Sequence, residues 1–136
     1  MSSIGKRLEK ILEIAKCTNE SDFQKNDNYL KLKSMKLKSS HSQDILNFVD
    51  ELRKLNFIDE CIYWNKKTLK IVDMCDKSYR QDMYGNLVDL FAIKKNYEMV
   101  LKYGNEALKD LKGTDLGGIQ YLRKQNFEHF GPPTYP

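Results

Sequence analysis

Proline is missing from the first 131 residues of this chain; Pro132, Pro133 and Pro136 crowd the last few positions. Nothing in that long stretch therefore removes a backbone amide or clashes with a preceding helical turn. Cysteine is scarce too. Cys17, Cys61 and Cys75 make an odd set without CxxC spacing, which suits neither a disulfide framework nor a zinc site. Cys61 lies in an apolar run and reads as a small hydrophobe, so a reducing compartment is expected. No apolar run approaches the roughly 20 residues of a membrane span, and the N-terminus lacks the apolar core of a signal peptide. The expected location is cytoplasmic, with the nucleus as the alternative. Only two histidines occur, His41 in a Ser-rich stretch and His129 near the end. Neither has a nucleophile or metal-ligand pattern around it, and no Gly-rich phosphate loop is present. The expectation is a protein that is not an enzyme and needs no cofactor.

Helical periodicity is abundant. Ile4, Leu8, Ile11, Leu12 and Ala15 form one amphipathic stripe. Ser21 is a candidate cap for a second helix, although Leu30 and Leu32 in "NYLKLKSMKLK" alternate briefly as a strand would. Its Leu-Lys content favours helix. Ser40 and Ser42 are candidate caps for Ile45, Phe48, Val49 and Leu52. After a short turn at Leu55-Asn56, Phe57, Cys61, Ile62, Trp64, Leu69 and Val72 carry a fourth helix. Tyr84, Leu87, Val88 and Phe91 start a third pair, with a turn at Lys95-Asn96 before Tyr97, Val100, Leu101, Tyr103, Ala107 and Leu108. Gly113 and Thr114 mark a stop and a new cap, and a more polar helix is expected from Asp115 to about Glu128. Short connections make neighbouring helices antiparallel.

The chain also repeats itself. "NFVDELRKLNFIDECIYWNKKTLK" begins at Asn47 and "NLVDLFAIKKNYEMVLKYGNEALK" at Asn86, 39 residues later. Ile45, Phe48, Val49 and Leu52 align with Tyr84, Leu87, Val88 and Phe91. A fainter copy, with Ile11, Ile14, Ala15, Phe23, Tyr29 and Ser34-Met35, lies 34 residues before the first. The pattern resembles the tetratricopeptide repeat, a 34-residue helix-turn-helix unit. Tyr84, Leu87, Phe91, Tyr97 and Ala107 occupy its characteristic places; Val88 stands where the family prefers Gly, and Lys112 where it often has Pro. The 39-residue interval is five too long and would lengthen the pair around "VDMCDKSYRQDM". The resemblance covers roughly residues 4 to 111 and implies an all-α fold, for a domain expected over residues 1–129. Antiparallel helical hairpins, about three of them, would stack as a short α-solenoid closed by a C-terminal capping helix, with 130–136 a Pro-rich tail. A non-repeating helical bundle is the alternative.

The family's first helices line a concave groove, and its typical Asn position matches Asn47 and Asn86. A carboxamide both donates and accepts, so it can pair with an extended peptide backbone. Asp50 and Asp89, one turn on, share that face and would tolerate basic side chains. The resemblance thus implies an adaptor with a protein or peptide partner. One variant of the family binds C-terminal carboxylates through cations. Lys16 fits one such place, but Asp82 and Asn86 stand where the third repeat would need others, so that site does not carry over. Pro132, Pro133 and Tyr135 fit PPxY, the WW-domain ligand pattern; the plain alternative is a tail laid on the helices. Lysines crowd "KLKSMKLK" and recur at Lys66, Lys67 and Lys70. They read first as a solvated face, with nucleic acid or an anionic membrane as the alternative partner. The net charge of +4 does not argue for either. An obligate subunit or self-dimer, with the groove always filled, is the remaining alternative.

Overall fold

The computed structural model describes residues 3–72 and 76–111. Among these there is no strand. Seven α-helices occur: α1 (Ser3–Lys16), α2 (Glu20–Phe23), α3 (Asp27–Ser34), α4 (Ser42–Lys54), α5 (Ile58–Ile71), α6 (Lys77–Ile93) and α7 (Tyr97–Asp110), with a 3-10 turn at Ser39–His41. None is long and apolar enough to cross a membrane. The chain divides into two compact units, Met1–Asp73 and Met74–Pro136. The all-α expectation holds throughout the described residues. The helix expected from Asp115, its cap at Thr114 and the Pro-rich tail lie outside them.

In the first unit α1 packs on both α2 and α4, and α4 on α5. The apolar stripe read from the sequence is the buried one: Leu8, Ile11 and Ala15 of α1, and Ile45, Phe48, Val49 and Leu52 of α4, are all buried. Burying one Leu, Ile or Phe side chain contributes about 1.5–3 kcal/mol, so these stripes supply much of the drive for packing. In the second unit α6 packs on α7, with Leu87, Val88, Val100 and Ala107 fully buried and Phe91 stacked on Tyr103 at 5.7 Å.

The second expected helix is two helices. Asn19 caps α2, its side chain accepting from the Asp22 amide; Asn26 caps α3 by accepting from the Tyr29 amide. A helix can restart wherever such a side chain takes over an orphan N–H, and Asn26 is where this one does. Neither Ser40 nor Ser42 caps α4: its cap position is His41, without a side-chain bond, and the Ser42 hydroxyl donates to the Ser39 carbonyl at 2.6 Å.

The turns after α4 and α6 are built alike. Asn56 and Lys95 hold φ of 64° and 58° in the left-handed region. In the first turn the Asn56 amide donates to Arg53 and the Phe57 amide to Leu52; in the second, Lys95 donates to Ala92 and Asn96 to Phe91. This is the Schellman pattern, which satisfies carbonyls that a helix end leaves open. The two left-handed residues are separated by the same interval as Asn47 and Asn86, so the two similar segments share a turn geometry. The longer interval is partly absorbed in α6, which has 17 residues against 13 in α4.

A polar pin joins α3 to α5. The Tyr29 hydroxyl donates to Glu60 and accepts from Trp64 Nε1 at 2.8 Å. Lys33 Nζ meets the same Glu60 oxygen at 2.8 Å and lies over the Tyr63 ring at 4.2 Å. Lys67 Nζ donates to the Lys33 carbonyl at 2.6 Å. Burial, reinforced by Glu60, holds the Tyr29 phenol far above its ordinary value. Buried charge is tolerated only when paired in this way.

Candidate functional site

α1 and α4 flank an open groove of about 630 Å³ in the first unit. Leu8 and Leu12 of α1 and Phe48 of α4 form its apolar floor. Leu8 and Phe48 are already buried, whereas Leu12 is only half-buried and remains accessible. The spacing 44, 47, 48, 51 places four successive groove residues on one face of α4, as helical periodicity requires. Carboxylates dominate the walls: Glu9, Glu13, Asp44 and Glu51 stand against Lys10 and Lys16. Two of the four are partly neutralised, Glu13 by Lys16 at 3.4 Å and Glu51 by Lys54 at 3.0 Å.

Asn47 is exposed on this wall, and its side-chain oxygen Oδ1 accepts from Gln43 Nε2 at 2.9 Å. Asp50 is exposed on the same helix but is not part of the groove wall. In the second unit Asn86 is half-buried on α6 and Asp89 exposed one turn later; both are engaged by neighbours. The two Asn-Asp pairs thus belong to two units, and Asn47 lines the groove of the first. The remaining sequence candidates, Pro132, Pro133 and Tyr135, lie outside the described residues.

Lys16, which fits one cation place of the carboxylate-binding variant, lines the groove beside Glu13. Of the lysines read as a solvated face, Lys33 and Lys67 are tied into the pin between α3 and α5. Sequence reasoning missed the acidic wall. Its signal was present in Glu9 and Glu13 at i, i+4 and in Asp44 three residues before Asn47, but which charges face a neighbour is settled by packing.

Cys61 is buried. Burial pushes its thiol up to about 12, which leaves little thiolate for chemistry. Among the described residues no three His, Cys, Asp or Glu side chains gather as metal ligands would. Comparison with protein-family models, with curated proteins and with solved structures found no match.

Proposed function

We propose that this chain is a non-enzymatic adaptor of tetratricopeptide-like architecture whose α1–α4 groove receives a peptide or a partner helix. The observation that supports this reading is the groove itself: an acid-walled channel between α1 and α4, with the Asn47 carboxamide on its wall. The matching turns at Asn56 and Lys95 support the repeat behind it. Groove and carboxamide divide the labour. Leu12 offers apolar contact, Asn47 offers backbone pairing independent of sequence, and the carboxylates favour a partner bearing Lys or Arg.

Panning a random dodecapeptide display library on the full chain tests this. Selected peptides are expected to lose about 5- to 30-fold in affinity on Asn47→Ala or Leu12→Asp, the 1–2 kcal/mol of one lost hydrogen bond or one spoiled apolar contact. Peptides that bind both variants as tightly as the parent would remove the groove from consideration.

A further inference from the structure

A second cleft opens on the other flank of α1, and its charge is of the opposite sign. It has a volume of about 480 Å³ and is walled by Ser3, Lys6, Arg7 and Lys10 of α1 with Asn28 of α3, over Ile11 and Ile14. Among the described residues no carboxylate belongs to this wall, and the first turn of α1 carries no acidic residue. Lys6, Arg7, Lys10 and Asn28 are all exposed. Arg7 Nη1 approaches the Met35 sulfur at 2.9 Å; among the described residues neither Lys6 nor Lys10 has an ion-pair partner. Three like charges within about one helical turn repel one another; Lys10 also borders the carboxylates of the acidic groove, whereas the cleft wall itself supplies Lys6 and Arg7 with none among the described residues.

We propose that this cleft is an anion site for a small soluble ligand carrying two or more phosphoryl groups. The chemistry follows from the side chains. Guanidinium binds phosphate oxygens bidentately and in a plane, while two ammoniums add point charges that follow phosphoryl groups in series. A single carboxylate would leave most of the positive charge unmatched. The cleft volume falls within the range of small-molecule pockets, roughly 300–1,000 Å³, and its concavity suits a compact ligand better than a duplex. Ile11 is buried beneath the cleft, and the half-buried Ile14 gives a small apolar surface on which an organic portion of the ligand can rest. The site is separate from the acidic groove except at Lys10, which borders both.

Because of that shared residue, the test uses Lys6→Ala/Arg7→Ala, with Lys25→Ala/Lys36→Ala as a control of equal charge change on exposed positions. Orthophosphate, pyrophosphate and tripolyphosphate are titrated into the full chain by calorimetry, with amide spectra confirming that each variant is folded. Affinity is expected to climb along that series. Tripolyphosphate binding should fall at least about tenfold in the cleft variant, from roughly 1 kcal/mol per lost charge contact, and less than about threefold in the control. Equal losses in the two variants would mean diffuse attraction to a basic chain and overturn the site. Failure of all three probes to bind at millimolar concentration would overturn it as well. So would sedimentation with vesicles containing phosphorylated inositol lipid in the absence of tripolyphosphate binding, since the ligand would then be a membrane headgroup.

Discussion

Lys95 holds a left-handed backbone with φ of 58°, which costs an ordinary side chain about 1–2 kcal/mol. Glycine removes that strain but loses about 0.4–1 kcal/mol through the freer unfolded chain. Lys95→Gly is therefore expected to stabilise the protein by about 0.5 kcal/mol, seen as a higher urea midpoint at unchanged slope. Gly85 is the converse case. It sits inside α6, and a Cβ there would meet no atom within 4 Å. Gly85→Ala should add about 1 kcal/mol, the difference in helix propensity, and an unchanged midpoint would contradict it. The pin between α3 and α5 raises larger stakes. Lys33→Ala leaves the nearly fully buried Glu60 carboxylate without its cation, a loss of about 3 kcal/mol. Lys33→Met/Glu60→Gln, which removes both charges and keeps an acceptor for the Tyr29 hydroxyl, should recover much of it, and a double-mutant cycle would measure the coupling. None of this pin was legible in the sequence. Lys33 looks like any lysine of a solvated face, and Glu60 lies 31 positions from the tyrosine that donates to it; only packing brings the three together.

At the scale of elements, α6 and α7 are tied at one end by a charged cluster. Arg80 Nε donates to Asp110 at 3.0 Å, and the Tyr84 hydroxyl donates to the same oxygen at 2.8 Å. Burial pushes the Asp110 carboxyl up, but the bonds from Arg80 and Tyr84 outweigh it and hold its pKa below the ordinary value. A carboxylate depressed in the folded state adds stability above its unfolded pKa, and loses it as pH falls through the folded one. Asp110→Asn should accordingly destabilise the chain at neutral pH and flatten its acid unfolding below about pH 4. Tyr84 acts at the other limb. Burial first, then Asp110, raises its phenol to about 12. A raised phenol holds its stabilisation below the unfolded value of about 10 and loses it as pH climbs through the folded one. Tyr84→Phe should thus unfold less steeply between pH 10 and 12, as read by denaturant titration at each pH. Elements were the most legible level of the sequence. α4 to α7 were visible in their apolar spacing and in the turns at Leu55-Asn56 and Lys95-Asn96. The break in the second helix was not, because Asn26 competes with strong helix formers on both sides and its capping bond decides locally. The groove was half legible: Asn47, a candidate only through the resemblance, lines it, whereas the acidic wall depends on how α1 lies against α4.

The whole molecule comprises two compact units with their own buried cores, and the cysteines allow the first to be followed by itself. Cys17 is exposed and Cys61 buried, so in a Cys75→Ser background a thiol reagent should label Cys17 at once and Cys61 only through opening of its unit. Lys33→Ala should accelerate Cys61 labelling by roughly the factor its lost stability implies, about 100-fold for 3 kcal/mol. Asp110→Asn, in the other unit, should leave that rate unchanged. Equal acceleration by both would show that the chain opens as one cooperative body.

The paired turns at Asn56 and Lys95 bear on where likeness within such a chain resides. One turn is followed by Phe57 and the other by Asn96, yet the backbone follows the same path through both. What is kept is a torsion angle and two amide bonds, and neither specifies a side chain. Two segments can therefore differ letter by letter and still share a joint. Likeness between such segments is better sought at the hinges than along the helices.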